Sequence, residues 1–257
     1  MSEITFYKYQ GTGNDFVMID NLSGQYDNLS IDDIKLLCDR RFGVGADGVI
    51  KLDRGDGYDF YVDYYNSDGS QSFCGNGARC SVAFAKYLGV IKEEAWFGAI
   101  DGEHLAYINA DNIVRLKMSD VYSIEENEED IIMDTGSPHF IAFDTDENIV
   151  QFGKKIRYSE RFLKEGINVN IVKSEGEGKL YVQTYERGVE DETLSCGTGV
   201  TACALAEMLR EGLSSGEINV RTKGGELSVA AEQTGNGFTN IYLIGPAAFV
   251  YKGEISL

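Results

Sequence analysis

Two short segments of this chain each place a cysteine directly before a glycine-framed turn and an apolar stretch. Residues 73–84 read FCGNGARCSVAF, and residues 195–206 read SCGTGVTACALA. If each apolar stretch is a helix, Cys74 and Cys196 stand at helix starts, where backbone N–H groups have no partner within the helix. Such an end favours anions and lowers the pKa of a thiol, and the flanking glycines let a ligand approach the backbone. Each segment therefore combines a basic sulfur with an anion cradle.

Two such sites on opposite sides of one bound carboxylate would support inversion of a carbon centre. If the carboxylate belongs to an amino acid, one sulfur takes the Cα proton and the opposite sulfur returns a proton to the other face. The carbanion spreads its charge into the carboxylate, which the aligned N–H groups stabilise. This chemistry needs no pyridoxal phosphate, and we predict no cofactor.

The other cysteines, Cys38, Cys80 and Cys203, are predicted to be small core residues. The chain has five cysteines and no C-x-x-C pattern, which argues against a disulfide framework and a thioredoxin-type motif. It has only two histidines, His104 and His139, so no His-rich metal centre is expected. We therefore predict no metal site.

The two halves of the chain repeat these signals in one order. GNDFVMID begins at Gly13 and GSPHFIAFD begins at Gly136, an offset of 123 residues. The two cysteine segments follow at an offset of 122 residues. Two different motifs at nearly the same offset indicate an internal duplication.

Local patterns predict many strands and few helices. A capping pattern at Ser30 opens one helix, with an apolar stripe at Ile31, Ile34, Leu37 and Cys38. Further helices are predicted at 75–88, near 159–165 and at 197–211. Runs rich in aromatic and β-branched residues predict strands, namely EITFYKYQ, DFVMIDN, GVIKL, YDFYVDYYN, FIAFD, INVNIV, KLYVQTYE, INVRT and ELSVAAE.

These elements predict an α/β (α+β) chain of two pseudo-symmetric domains, each a curved, mostly antiparallel sheet wrapped around a central helix. The active site is expected in the cleft between them. The predicted domains are residues 1–120 with 246–257, carrying Cys74, and residues 121–245, carrying Cys196. The tail is predicted to return to the first domain as a strand, and the acidic run 125–130 to be a solvated loop.

Composition limits the class of function. Of the 257 residues 43% are hydrophobic, which suffices for real cores, and the net charge of −19 disfavours binding to nucleic acid. No apolar stretch approaches the length of a membrane span, and the N-terminus lacks a signal-peptide pattern. We expect a cytoplasmic protein whose partner is a small amino-acid substrate rather than nucleic acid or membrane.

Seven segments in this order resemble the diaminopimelate epimerase family over essentially the full chain: KYQGTGNDFVMID, RRFGVGADG, YNSDGSQSFCGNGARC, GSPH, INVN, YERGVEDETLSCGTG and GPAAFVY. The resemblance implies two pseudo-symmetric α/β domains and a homodimer with Tyr251 at the contact. It implies an isomerase that interconverts LL- and meso-diaminopimelate, in lysine and peptidoglycan-precursor synthesis.

The resemblance also assigns site residues. The catalytic thiol pair falls on Cys74 and Cys196, and the family's supporting catalytic His and Glu fall on His139 and Glu186. Glu186, beside the Cys196 loop, is expected to tune a sulfur or bind an amine, and His139 is expected to do the same on the Cys74 side. The implied substrate contacts are Asn14, Asn66, Gly75, Asn76, Asn168, Glu186, Arg187, Gly197 and Thr198. Arg187 suits the remote carboxylate because its guanidinium can bind a carboxylate through two hydrogen bonds.

Two alternatives stay open, one motivated by departures from the family and one by the thiol pair Cys74 and Cys196. Ser137 stands where the family usually has Asn, and Gly48 where some members carry Gln, so another amino-acid racemase or epimerase of the same fold is one alternative. The loop from Asn66 to Cys74 is one residue shorter than in some members, and residues 189–192 one longer. A thiol–disulfide redox or binding protein is the other alternative, which the separate anion cradles disfavour.

Overall fold

The aromatic and β-branched runs form strands, and strands dominate the regular structure. The structure, a computed structural model, describes residues 3–128 and 130–257. The chain divides into two compact units, one containing residues up to Leu116 together with Gly245–Leu257, the other Lys117–Ile244.

The first unit is a mixed sheet with two helices. Its elements are β1 (Glu3–Gly11), β2 (Asn14–Asn21), α1 (Ile31–Cys38), β3 (Gly48–Asp53), β4 (Phe60–Asn66), α2 (Gly75–Tyr87), β5 (Glu94–Ala99), β6 (Gly102–Ile108) and β7 (Ile113–Lys117). Antiparallel pairs join β1 to β2, β3 to β4, β5 to β6 and β6 to β7. Parallel pairs join β2 to β3 and β4 to β5.

The second unit repeats this arrangement. Its elements are β8 (Ile124–Glu126), β9 (Asp130–Asp134), β10 (Pro138–Phe143), α3 (Ile149–Arg157), β11 (Asn168–Ser174), β12 (Lys179–Glu186), β13 (Asp191–Thr193), α4 (Gly197–Arg210), β14 (Ser215–Thr222), β15 (Gly225–Thr234) and β16 (Gly237–Pro246). Antiparallel pairs join β9 to β10, β11 to β12, β14 to β15 and β15 to β16. Parallel pairs join β10 to β11 and β12 to β14. The same alternation in both units confirms the predicted duplication.

Each unit wraps its sheet around one central helix, as predicted. Helix α2 is buried from Asn76 to Ala85 and packs against strands β1 to β4 and β6. Helix α4 is buried from Gly199 to Met208 and packs against β9 to β12, β14 and β15. No helix in the described ranges combines the length and apolar character needed to cross a membrane.

Helix α1 begins where the capping pattern predicts. The Asp33 backbone N–H donates to Ser30 Oγ at 3.2 Å, and the Asp33 carboxylate accepts from the Ser30 backbone N–H at 2.9 Å. Ile34 and Leu37 of the predicted apolar stripe are buried, whereas Ile31 is exposed. The cap and most of the stripe therefore follow from local sequence.

The helix predicted near 159–165 is wrong, because those residues form turns and the helix is α3, which ends at Arg157. The side chain of Asn148 caps α3 by accepting from the N–H groups of Val150 and Gln151 at 3.1 and 3.2 Å. Gly166, at φ 74°, then turns the chain into β11. The Asn cap was the signal that the sequence analysis missed.

The C-terminal tail forms β17 (Ala248–Ser256) and pairs antiparallel with β1, which confirms its predicted return to the first unit. The acidic run 125–130 is not simply a loop. Glu125 belongs to strand β8, and both its carboxylate oxygens accept from Arg161, at 2.9 and 2.6 Å. Glu129 of that run lies outside the described residues.

Candidate active site

Cys74 stands at the start of α2, as predicted. Its backbone is extended, and the half-buried Sγ accepts a hydrogen bond from the Gly77 N–H at 3.5 Å. A Cβ on Gly77 would come within 3.0 Å of the Ile50 side chain, so the turn has little room for a larger residue. The thiol therefore occupies a helix-cap position, which favours its anionic form.

Asn14 and Asn76 join the Cys74 sulfur in one hydrogen-bonded group. Asn14 Oδ1 lies 3.5 Å from the sulfur and accepts from Asn76 Nδ2 at 3.3 Å. Asn14 Nδ2 donates to the Asp47 carboxylate at 2.6 Å, which fixes the orientation of the amide. Two predicted substrate-binding residues thus meet at Cys74, and Asp47, which the sequence analysis did not identify, holds one of them.

Arg79 is a buried cation that the sequence analysis also missed. Its side chain is fully buried, and Nη2 donates to Asn76 Oδ1 at 2.9 Å and to Thr12 Oγ1 at 3.4 Å. Nε and Nη1 have no hydrogen-bond partner within the described residues. Burial lowers the pKa of Arg79 from its ordinary value. The signal available in the sequence was a lone arginine inside a helix of small residues. Its guanidinium charge lies beside the side-chain amide of the anion cradle.

Cys196 stands at the start of α4 in the same extended conformation, again as predicted. It differs from Cys74 in its surroundings, because it is buried and its side chain makes no capping hydrogen bond to the helix. Its Sγ lies 3.4 Å from the hydroxyl of Thr198. The second thiol is thus held beside a hydroxyl rather than beside an amide oxygen.

His139 makes its hydrogen bonds in the Cys196 segment, although the sequence analysis placed it on the Cys74 side. Strand β10 carries the fully buried ring to the start of α4. Its Nε2 lies 2.9 Å from Thr198 Oγ1 and its Nδ1 3.1 Å from Asn170 Nδ2. Burial lowers the pKa of His139 to about 3, so the ring is neutral near pH 7.

Asn168, Arg187 and Ser137 form another hydrogen-bonded group of the second unit. Asn168 Nδ2 donates to Ser137 Oγ at 2.7 Å, and Asn168 Oδ1 accepts from the Arg187 backbone N–H at 2.9 Å. The guanidinium of Arg187 is exposed and donates to the Glu165 carbonyl at 3.0 Å. Glu186 precedes Arg187 at the end of β12 and is half-buried. Ser137, although shorter than Asn, therefore keeps a direct link to Asn168.

Asn66 ends strand β4 and is oriented by its own neighbours. Its Oδ1 accepts from the Tyr64 hydroxyl at 2.8 Å, and its Nδ2 donates to the hydroxyls of Ser70 and Ser72, both at 3.1 Å. A Cβ on Gly48 would lie 2.4 Å from Tyr64 Cε2. The Tyr64 ring therefore occupies the space that a side chain at position 48 would need.

The described residues bring the predicted site residues together in separate local groups. The first unit groups Cys74, Gly75 and Asn76 with Asn14, and it holds Asn66 at the end of β4. The second unit groups Cys196, Gly197 and Thr198 with His139, and it places Asn168 against the backbone of Arg187, next to Glu186. Asn170, which joins the His139 group, was not predicted, although the N-V-N alternation of β11 puts it on the same strand face as Asn168.

Solved structures of low sequence identity share this fold. A PhzF-family phenazine biosynthesis protein from Bacillus anthracis aligns with a TM-score of 0.75 at 13% identity, covering 100% of both chains. A hydroxyproline epimerase from Agrobacterium vitis, solved with bound trans-4-hydroxy-L-proline, aligns with a TM-score of 0.69 at 14% identity, covering 99% of this chain and 93% of that one. The chain therefore has the duplicated α/β fold found in these proteins, and in this chain a cysteine occupies the N-cap position of the central helix in each unit.

Sequence comparison gives the family. The family model for diaminopimelate epimerase matches residues 6–124 and 131–250. A diaminopimelate epimerase of Flavobacterium psychrophilum is 48% identical, over 97% of this chain and 99% of its own length. Those of Chlorobaculum tepidum and Aquifex aeolicus are 37% and 35% identical over 96% and 98% of this chain, and 99% and 97% of their own lengths. The chain belongs to the diaminopimelate epimerase family, a family of isomerases, and the predicted resemblance is confirmed.

Proposed function

We propose that this protein interconverts LL- and meso-diaminopimelate without a cofactor, by a two-base thiol/thiolate mechanism. The observation that carries the mechanism is the duplicated pair of cysteine caps, Cys74 on α2 and Cys196 on α4. The choice of substrate is supported by relatives named diaminopimelate epimerase at up to 48% identity over nearly the whole chain. The reaction belongs to lysine and peptidoglycan-precursor synthesis.

In this mechanism the helix starts bind the carboxylate of the reacting carbon. The backbone N–H groups of Gly75 and Asn76 and those of Gly197 and Thr198 are the donors, because the first N–H groups of a helix have no partner within it. One thiolate removes the Cα proton while the other thiol delivers a proton to the opposite face. The carbanion's negative charge passes into the carboxylate, where these donors stabilise it. The reaction requires both sulfurs to reach one α-carbon.

Four of the remaining predicted residues recognise the far end of the substrate. Arg187 binds the remote carboxylate, since its exposed guanidinium is the planar donor that a carboxylate prefers. Asn168 keeps the Arg187 backbone in place through the 2.9 Å hydrogen bond. Asn66 helps Arg187 to bind the remote carboxylate, and Glu186 supplies an acceptor for the distal ammonium group. Asn14 contacts the substrate beside Cys74.

Incubation of the pure protein with LL-diaminopimelate in heavy water, without added cofactor, tests the proposal. We expect the meso form to appear with deuterium at Cα. Cys74→Ala and Cys196→Ala should each abolish epimerisation, because one face of the carbon then lacks its acid or base. Absence of both meso product and deuterium in the wild-type protein would refute the assignment.

A second candidate is a racemase or epimerase that acts on another amino acid. Gly48 and Ser137 depart from the family pattern and motivate this candidate. Gly48 lies opposite Asn66 in the sheet, and Ser137 accepts a hydrogen bond from Asn168. A panel of amino acids measured by the same deuterium assay separates the two candidates. Faster turnover of a substrate without a distal carboxylate would support the second one.

We also propose that the protein is cytoplasmic and acts as a homodimer that uses the region of Tyr251. Phe249, Val250 and Tyr251 on β17 form a run of exposed large apolar side chains, a feature common at protein interfaces. Light scattering of wild type and Tyr251→Asp tests this assembly. A monomeric wild-type protein at assay concentration would contradict it.

A further inference from the structure

Asn170 is a fully buried amide whose orientation is fixed by its neighbours. It lies on β11 directly opposite Thr184 of β12, and its Oδ1 accepts from the Thr184 hydroxyl at 2.9 Å. Its Nδ2 donates to the Phe140 carbonyl at 3.0 Å. Because a backbone carbonyl can only accept, the nitrogen of the amide must face it.

This orientation selects the tautomer of His139. Asn170 Nδ2 also lies 3.1 Å from His139 Nδ1, and an amide nitrogen only donates, so Nδ1 is the acceptor. The single proton of the neutral ring therefore sits on Nε2, which donates to Thr198 Oγ1 at 2.9 Å. A hydroxyl that accepts from His139 keeps its own hydrogen for the Cys196 sulfur at 3.4 Å.

We propose that Asn170 is a positioning residue that fixes His139 in the Nε2–H tautomer and thereby makes Thr198 a hydrogen-bond donor to Cys196. The inference rests on the proposed function, in which Cys196 alternates between thiol and thiolate. A donor stabilises the thiolate, so Asn170 determines how readily Cys196 becomes a base. His139 cannot accept a proton from Thr198 in this tautomer, and it therefore orients the hydroxyl instead of acting as a base.

Packing at the helix start keeps this chain of hydrogen bonds aligned. A Cβ on Gly199 would come within 2.8 Å of Asn170 Oδ1 and within 3.2 Å of both His139 Cε1 and Thr184 Oγ1. The bare glycine lets these three buried groups approach α4 directly. A larger residue at this position would force the Asn170 side chain to shift.

The neighbouring titratable groups do not reverse the direction of the hydrogen bonds from His139 to Thr198 and from Thr198 to Cys196. Arg187 carries a positive charge that disfavours protonation of His139, in the same direction as burial. Cys203, in the same helix as Cys196, is fully buried, and burial raises the pKa of its thiol well above the usual value. The His139 ring and the Cys203 thiol are therefore both uncharged near pH 7.

Nitrogen-15 NMR of the imidazole rings tests the tautomer directly. The chain contains only two histidines, so a His104→Gln variant leaves His139 as the sole signal. We expect a protonated Nε2 and an unprotonated Nδ1 near pH 7. Asn170→Asp replaces the donor with a carboxylate that only accepts, so it should place a proton on Nδ1. A wild-type ring protonated at Nδ1, or an Asn170→Asp ring unchanged at Nδ1, would overturn the proposal.

Alkylation of Cys196 tests the consequence for the sulfur. In a Cys74→Ala background, iodoacetamide labelling of the Cys196 peptide is followed by mass spectrometry across pH. Loss of a hydrogen bond to a charged group should slow labelling below the ionisation midpoint about tenfold. Asn170→Asp and Thr198→Val should each cause this loss, and their combination should add little, because both break one chain. Thr198→Ser keeps the hydroxyl and should retain wild-type labelling.

These measurements can be interpreted even if the protein does not catalyse the proposed reaction. Neither the NMR spectrum nor the alkylation rate requires diaminopimelate, and the wild-type tautomer needs no variant at Asn170. Unchanged Cys196 labelling in both Asn170→Asp and Thr198→Val would refute the proposal even if the protein proves to be an active epimerase.

Discussion

Lowering the pH from 7 to 5 should destabilise the second unit through one buried histidine. The His139 ring is fully buried, and burial lowers its pKa to about 3, whereas an exposed histidine has a pKa near 6.5. Between these values the unfolded chain binds a proton that the folded unit excludes. Stability therefore rises with pH across this window, and it is lost as the pH falls from about 6.5 toward 3.

The size of this effect follows from the same two values. A pH of 5 lies about 1.5 units below the pKa of the unfolded histidine. At about 1.36 kcal/mol per unit, this difference lowers the free energy of unfolding by about 2 kcal/mol. The folded ring offers no compensation, because it begins to bind a proton only near pH 3. Most carboxylates remain ionised above pH 5, but burial raises the pKa of the Glu207 carboxyl on α4. The comparison of wild type with His139→Gln therefore isolates the contribution of the histidine. About 2 kcal/mol is a large part of the stability of a typical domain.

Peptide-resolved amide exchange in α4, combined with urea titration at pH 5 and pH 7, measures this loss. His139→Gln should remove most of the pH dependence, because glutamine can still donate to Thr198 and does not titrate. His104→Gln should retain it. Trp96 lies in the first unit and reports on that unit by fluorescence as an internal reference. An equal pH dependence in wild type and His139→Gln would refute the reasoning.

Three further changes test other parts of the structure. Arg187→Ala should raise the KM for diaminopimelate about tenfold to a hundredfold with a smaller change in kcat, since one charge-assisted contact is worth about 1.5–3 kcal/mol; an unchanged KM would remove Arg187 from the site. Gly153→Ala should destabilise the protein by about 1–3 kcal/mol in urea titrations, because its Cβ would lie 2.3 Å from Tyr185 Cγ, whereas Gly216→Ala enters open space and should be near neutral. Equal stability of these two variants would contradict the packing. Ser30→Ala should cost about 1 kcal/mol through loss of the α1 cap while activity per folded molecule stays at the wild-type level, and a thermal melt with a rate assay checks both.

Local sequence alone determined the repeating parts of this protein. The two Cys-Gly-x-Gly segments predict capped helix starts because glycine placement and helix capping depend on residues within a few positions of each other. The same holds for the Ser30 cap, and the nearly constant offset between the halves reveals the duplication. Near residue 160 the local signal misled, because the cap at Asn148 was overlooked and the turn residues were assigned to the helix.

Only the tertiary structure decided which side chains surround each thiol. Parallel pairing of β10 with β11 places His139 opposite Asn168, on the strand that also carries Asn170. Antiparallel pairing of β11 with β12 brings Thr184 opposite Asn170. The tertiary structure likewise decides that Asp47 contacts Asn14 and that the Arg79 cation is buried. These partners are distant in sequence, and strand register is set by the packing of a whole sheet against its central helix. A linear pattern indicates which residues are reactive, whereas register determines which groups orient them.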